Sequence, residues 1–168
     1  MEYRPAVIQD LPQIKEVFQD IIKSMEDGGI PIWDEVYPCE FFEDDIKENR
    51  LYLMTEGEEI LSAFALCESN SGEAHITWED KHAKALYLDR LGVNARRARQ
   101  GIGGSTLIKA EETAKALGAE YLRLFVVDSN LPAIALYEKS GFTRAKGSYD
   151  EVIDEDYILH EYGYEKKL

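Results

Sequence analysis

No stretch of this chain reaches the roughly 18 consecutive apolar residues that a membrane-spanning helix requires, and its opening Met1-Glu2-Tyr3-Arg4-Pro5 lacks the apolar segment of a signal peptide. A cytoplasmic location away from the membrane is the expectation. Cysteine is scarce. Cys39 and Cys67 match no metal-ligand spacing and read as free thiols in a reducing compartment. Histidine is scarce too. His75 and His82 stand seven apart with Glu79 and Asp80 between them, a spacing that does not define a metal site, so no metal is expected. Basic residues number 19 against 33 acidic ones, and the formal charge of −14 argues against general nucleic-acid binding, which needs a basic face. Repeats, linkers and low-complexity segments are absent. The 168 residues, 45% of them hydrophobic, therefore read as a single domain, 1–168, with enough chain for a sizeable core.

Against that acidic background one stretch stands out, Arg96-Arg97-Ala98-Arg99-Gln100-Gly101-Ile102-Gly103-Gly104-Ser105. Together with Arg90 it holds four of the chain's eight arginines. A strand-like run, Ala85 to Val93, leads into it, and a helical run, Thr106 to Leu117, leaves it. Three glycines in four positions permit a tight turn and a close approach to the backbone. The N–H groups at the start of the following helix, together with its dipole, suit an anion, phosphate above all. The Walker pattern is excluded because no Gly-Lys-Ser/Thr is present. The dinucleotide fingerprint fits Gly101 and Gly103 but fails at Thr106. A glycine-rich turn without a ligand is the alternative.

The remaining elements follow from periodicity and turn residues. Tyr3 to Ile8 reads as a strand. Asp10 and Pro12 open an amphipathic helix carried by Leu11, Ile14, Val17, Phe18, Ile21 and Ile22 and closed by Gly28-Gly29. Ile30 to Pro38 is an aromatic, irregular loop, either a packed connector or one wall of a pocket. Phe41 to Lys47 is a short helix. Leu51 to Met54 and Ile60 to Cys67 form a hairpin, and Glu68 to Lys84 is a polar loop. Tyr121 to Val127 is apolar enough for an interior strand. A helix over Pro132 to Lys139, a strand from Phe142 to Gly147, an acidic loop over Tyr149 to Asp156 and a last strand, Tyr157 to Glu165, complete a mixed α/β order with helices on both faces of the sheet.

Two motifs carry a resemblance. The strand, basic residues, glycine loop and helix resemble the acyl-CoA-binding segment of the GNAT superfamily of N-acetyltransferases, whose pattern Q/R-x-x-G-x-G/A aligns with Ala98-Arg99-Gln100-Gly101-Ile102-Gly103. Ala98 replaces the leading Gln/Arg. Downstream, Asn130, Ala133, Tyr137, Gly141 and Phe142 match N-x-x-A-x-x-x-Y-x-x-x-G-F at all five marked positions. The likeness covers Ala85 to Phe142. It implies a GNAT-like central sheet, mixed and mostly antiparallel, of about seven strands, with acetyl-CoA as co-substrate. It also implies a cofactor site formed by Leu91 and Val93 through their main chain, by Arg99, Gln100, Gly101, Ile102, Gly103, Gly104 and Ser105, and by Asn130. Tyr137 is implied as the group that hydrogen-bonds the departing sulfur.

The implied reaction is direct acetyl transfer to a primary amine. For an amine of pKa about 10.4, deprotonation at pH 7 costs roughly 4.6 kcal/mol, so a base is needed. Asp89 is the candidate, because Tyr87 and Asp89 share strand parity with Leu91 and Val93; a bulge would break that parity. On the acceptor side the candidates are Trp33, Asp34, Glu35 and Tyr37 of the aromatic loop. The carboxylates Asp150, Glu151, Asp154, Glu155 and Asp156 suggest a small cationic acceptor. Two other readings stay open: acetylation of a protein lysine or N-terminus, and a sensor that binds acetyl-CoA without turnover. A monomer or homodimer is expected.

Overall fold

The computed structural model describes all residues, 1–168. In chain order the elements are β1 (Glu2–Pro5), α1 (Leu11–Asp27), α2 (Phe42–Lys47), β2 (Leu51–Glu56), β3 (Glu59–Cys67), β4 (Ile76–Thr77), β5 (Ala85–Val93), α3 (Ile102–Ala116), β6 (Tyr121–Val127), α4 (Leu131–Lys139), β7 (Thr143–Asp154) and β8 (Tyr157–Lys167). The eight strands are ordered β1-β2-β3-β5-β6-β8-β7-β4. β5 and β6 are parallel, and the registers β1–β2, β2–β3, β6–β8, β7–β8 and β4–β7 are antiparallel. The sheet is thus mixed and mostly antiparallel, as anticipated. The extra strand is β4, two residues long and too short to leave an alternation in the sequence. No helix is long and apolar enough to cross a membrane.

By contacts the chain divides into two compact units, Met1–Leu66 with Arg90–Lys109, and Cys67–Asp89 with Ala110–Leu168. In the first, Asp10 opens α1 differently from a capping side chain. Its carboxylate accepts the Val7 N–H at 2.8 Å and binds the Arg4 guanidinium at 2.7 and 2.8 Å, fixing the entry of the chain rather than the helix's own N–H groups. α1 buries Ile14, Val17, Phe18, Ile21 and Ile22. Phe18 meets Phe42 of α2 edge-on at 4.6 Å between centroids and lies on Gly92, where a Cβ would sit 2.6 Å from the ring. Ile102, at the start of α3, packs with Met54, Leu61, Tyr3 and Val93.

Asp45 of α2 is the polar centre of this unit. It is fully buried and receives Arg90 Nε and Nη2 at 2.7 Å each and Arg50 Nε at 2.7 Å. Arg90 is itself in a left-handed backbone conformation, φ 52°, inside β5. For a non-glycine residue that conformation is unfavourable by about 1–2 kcal/mol. The buried, bidentate carboxylate holds it there.

In the second unit, Trp78, Tyr87 and Ile76 form a buried cluster with Phe125, Ala85, Cys67 and Ala145 against it. The parallel ladder runs from Ala85↔Tyr121 to Leu88↔Leu124 and stops, although β5 continues to Val93 and β6 to Val127. β6 turns instead to β8, ending with Val127↔Glu161.

Several expectations are corrected. α3 begins at Ile102 and not at Thr106, so the glycines form its first turn. The acidic loop is largely strand. β7 runs to Asp154 and only Glu155-Asp156 form the turn. Pairing with β8 overrides the low strand propensity of Asp and Glu. The left-handed Arg90 breaks strand alternation, so the parity argument linking Tyr87 and Asp89 to Leu91 and Val93 does not hold.

Removing Asp45 would leave two arginines facing a buried site without their carboxylate. Asp45→Ala is expected to lower stability by about 3–5 kcal/mol in urea unfolding; a loss below about 1 kcal/mol would show that the ion cluster does not hold α2 to β5.

Candidate active site

The glycine segment lies within the first unit. Asn94 ends β5 with its own N–H on Leu61 O at 2.8 Å, its side-chain amide on Ile60 O at 2.9 Å, and its Oδ1 accepting from Arg96 N at 3.0 Å. That fixes where the segment starts. Arg99 and Gly101 both adopt positive φ, 61° and 76°. Two left-handed residues so close turn successive N–H groups to one side, the geometry of an anion-binding concavity. Ser105 N donates to Gly101 O at 3.1 Å, the first bond of α3. The N–H groups of Ile102, Gly103 and Gly104 therefore precede it without intrahelical partners. A Cβ built on Gly101 or Gly104 meets nothing within 4 Å, so open space lies before the helix start.

The arginines behave differently from the expectation that they form one basic cluster. Arg90 is on Asp45, Arg96 on Asp20 at 3.2 Å, and Arg97 on Glu56 and Glu59 at 2.7 and 2.6 Å. Three of the four are thus spent on internal carboxylates, as an excess of acid makes natural. Arg99, exposed, carries no ion pair; Gln100 accepts from Arg97 Nε at 3.1 Å. Any attraction for an anion here rests on backbone N–H groups and one arginine.

Of the proposed main-chain contacts, Leu91 and Val93 lie past the end of the β5–β6 ladder, and Val93 packs beside Ile102. Trp33 stacks on Phe18 at 5.7 Å and Tyr37 meets Phe41 edge-on at 5.2 Å. The Asp34 carboxylate accepts the N–H groups of Val36 and Tyr37 at 2.8 and 2.9 Å, folding the loop on itself. Glu35 is exposed. The aromatic loop is in these respects a packed connector.

The second unit holds the other candidates. Asn130 caps α4, its Oδ1 accepting Ala133 N at 3.4 Å. Tyr137, on α4, is only 8% exposed, and its ring lies edge-on to Phe142 at 6.0 Å between centroids. Burial pushes its hydroxyl pKa above the usual tyrosine value, and the negative charge of Asp89 pushes it the same way, with no hydrogen bond contributing. The Tyr137 hydroxyl therefore stays protonated at any physiological pH, close enough to Asp89 to feel its charge. The two sequence candidates Tyr137 and Asp89 are thus brought together. Asp89 Oδ1 also receives the Asn70 amide at 3.5 Å.

Two residues stand here that the sequence reading did not single out as a pair, Glu161 of β8 and Glu151 of β7. Register places Tyr149 opposite Glu161, with Glu151 two positions on, so Tyr149, Glu151 and Glu161 share one face of the hairpin. Glu161 is half-buried. That burial, a side-chain hydrogen bond with Glu151, and the charges of Glu151 and Asp89 together raise its carboxyl pKa to about 9. The only sequence signal was alternation within the acidic stretch, hidden as long as the stretch reads as a loop. His160, on the opposite face, meets Asp150.

The description acetyltransferase (GNAT) family matches residues 15–142 of the chain. The uncharacterized N-acetyltransferase YesJ of Bacillus subtilis (strain 168) is 25% identical over 142 residues, covering 82% of this chain and 79% of that protein. A GNAT-family acetyltransferase from Streptococcus agalactiae 2603 superposes with a TM-score of 0.84 at 17% identity, covering 99% of this chain and 95% of the other. The ribosomal-protein-alanine N-acetyltransferase of Brucella melitensis does so with a TM-score of 0.72 at 18% identity over 100% of both chains. At these identities the solved structures speak to the fold alone.

Proposed function

The chain belongs to the acetyltransferase (GNAT) family, N-acetyltransferases that take the acetyl group from acetyl-CoA, and from that premise we propose that its acceptor is a small amine that arrives as a cation. The observation that carries this reading is the set of carboxylates Asp89, Glu151 and Glu161 in the second unit, Glu151 and Glu161 on one face of the last hairpin, with Tyr137 close enough to Asp89 to feel its charge. An ammonium group is the natural partner of such a set.

In this reading the CoA pyrophosphate lies on the N–H groups of Ile102, Gly103 and Gly104, flanked by Arg99, Gln100, Gly101 and Ser105. Backbone groups of Leu91 and Val93 take the pantetheine, and Asn130, besides capping α4, is the residue that the family motif assigns to its arm. The Tyr137 hydroxyl is buried and protonated. It donates a hydrogen bond to sulfur as charge develops there. A full proton transfer to a thiolate of pKa near 8.5 would be uphill from a phenol already above 10. Trp33, Asp34, Glu35 and Tyr37 are left out of the acceptor site, because they belong to a packed connector whose Asp34 carboxylate is tied into its own turn.

Acetylation of a protein lysine or N-terminus, and acetyl-CoA sensing without turnover, are separated from this reading by one assay. Thiol release is followed with acetyl-CoA and a panel of small amines, peptides and a no-amine control. Small alkyl- and arylalkylamines are expected to support turnover. Turnover only with peptides, or none with any amine despite acetyl-CoA binding, would overturn the small-amine reading.

Two substitutions test the assigned parts. At Gly104 a side chain meets open space, and an acidic residue in a first helical turn favours the helix, so Gly104→Asp leaves the fold intact. It nevertheless sets a negative charge where pyrophosphate is proposed to lie. Acetyl-CoA affinity by calorimetry is expected to fall at least about 10-fold; unchanged affinity would remove the loop from the cofactor site. Tyr137→Phe keeps the ring packing on Phe142 and removes the hydroxyl. kcat is expected to fall on the order of 10- to 1000-fold with acetyl-CoA affinity unchanged, since the hydrogen bond forms with the transition state. An unaltered kcat would leave Tyr137 as a packing residue.

A further inference from the structure

We propose that Asn70 is a positioning residue for acetyl transfer: its side-chain amide holds the Asp89 carboxylate where the nitrogen of the acceptor amine attacks. The inference rests on the small-amine reading above and gives Asp89 its part in that reaction. The strand sets where Asp89 stands. The parallel ladder of β5 and β6 ends with Leu88↔Leu124, and Asp89 is the next residue of β5. The left-handed backbone comes only after it, at Arg90. Tyr87 and Asp89 therefore share a face, on which Tyr87 stacks with Phe125 of β6 at 6.4 Å between centroids.

The turn Asn70-Ser71-Gly72 lies over the same face, and its contacts pin it at every residue but Ser71. The Gly72 N–H donates to Asn70 Oδ1 at 2.9 Å, the Glu73 N–H to Asn70 O at 3.1 Å, and the His75 N–H to Gly72 O at 3.0 Å. Trp78 Nε1 donates to Glu73 O at 2.9 Å. Gly72 lies so close to the Phe125 and Tyr149 rings that a Cβ would stand 2.7 Å from each. A side chain there would push the turn away from the sheet. Because the Gly72 N–H holds Oδ1, the amide nitrogen of Asn70 is the atom left to face β5, and it donates to Asp89 Oδ1 at 3.5 Å. A bond of that length is weak, so what it supplies is direction. Both residues are half-buried, and one donor does not fill the roughly four acceptor positions of a carboxylate. Asparagine suits the task. Aspartate closes the same turn, but it would set a second carboxylate against Asp89.

In the reaction the ammonium first gives one proton to water. The neutral amine then donates an N–H to Asp89, which turns its electron pair toward the thioester carbonyl carbon. As the C–N bond forms, positive charge develops on nitrogen, and the carboxylate stabilises it where it develops. The C–S bond breaks, and one N–H proton ends on sulfur. Amine and thioester have become amide and thiol, with one proton released to water for each ammonium consumed. Asp89 does not keep a proton, because an ordinary carboxylate is a far weaker base than an alkylamine. Asn70 touches neither substrate nor sulfur and acts only through Asp89.

The test is a double-mutant cycle with phenethylamine and 1,4-diaminobutane as acceptors. Asn70→Asp keeps the side-chain acceptor that closes the turn and removes the donor to Asp89, so its urea unfolding should match the wild type. Its kcat/KM for the amine should nevertheless fall at least about 10-fold, with the KM for acetyl-CoA unchanged. Asn70→Ala, which adds no charge, should lower the same parameter. Asp89→Asn should cost at least as much as either. In the Asp89→Asn background neither change at Asn70 should lower kcat/KM further, because the residue it acts through is gone. Wild-type kinetics for Asn70→Asp would overturn the proposal. So would losses that multiply in the double variant, since Asn70 would then act through the turn and not through Asp89. Wild-type kinetics for Asp89→Asn would remove both residues from the mechanism and leave acetyl transfer to amines standing. Absence of transfer to any amine by the wild type would overturn the small-amine reading and this proposal with it.

Discussion

The structure turns on a single strained residue in its central strand. β5 has to leave β6 after Leu88 and yet stay in the sheet to Val93. It does so through Arg90, whose left-handed backbone no arginine would choose alone. Asp45, fully buried on α2, bonds that guanidinium twice and Arg50 once. One carboxylate thus does two jobs. It compensates the backbone strain, and it ties α2 to the strand that runs into the glycine segment. Gly92, two residues on, lets the Phe18 ring of α1 lie directly on the strand.

The same acid excess that colours the composition explains the charge around the glycine segment. In a protein of formal charge −14, an arginine is rarely left alone. Arg96 and Arg97 are neutralised by Asp20, Glu56 and Glu59. A clustered count of arginines therefore overstates the field an anion would meet. What remains is backbone: the positive φ of Arg99 and Gly101 and three N–H groups before the first bond of α3. Backbone donors cannot be neutralised by a neighbouring carboxylate reaching across the surface, and in the proposed site they would hold a pyrophosphate by direction rather than by net charge.

Much of this was legible in the sequence, and the reasons for the misses are physical. β5 and β6 were read to the residue because interior strands are apolar and end at turn residues. The Asn130–Phe142 motif fixed α4 and brought Tyr137 to notice. α3 was read four residues late because glycines are poor helix formers in isolation and say nothing of the tertiary support they receive at a helix start. The second half of β7, from Tyr149, was read as a loop because acidic residues disfavour strands, a preference that cross-strand pairing outweighs. The parity argument for Asp89 failed at Arg90, whose conformation depends on Asp45, distant in sequence. Glu161 and Glu151 could not be found by composition at all, since only register decides which of several acids face each other.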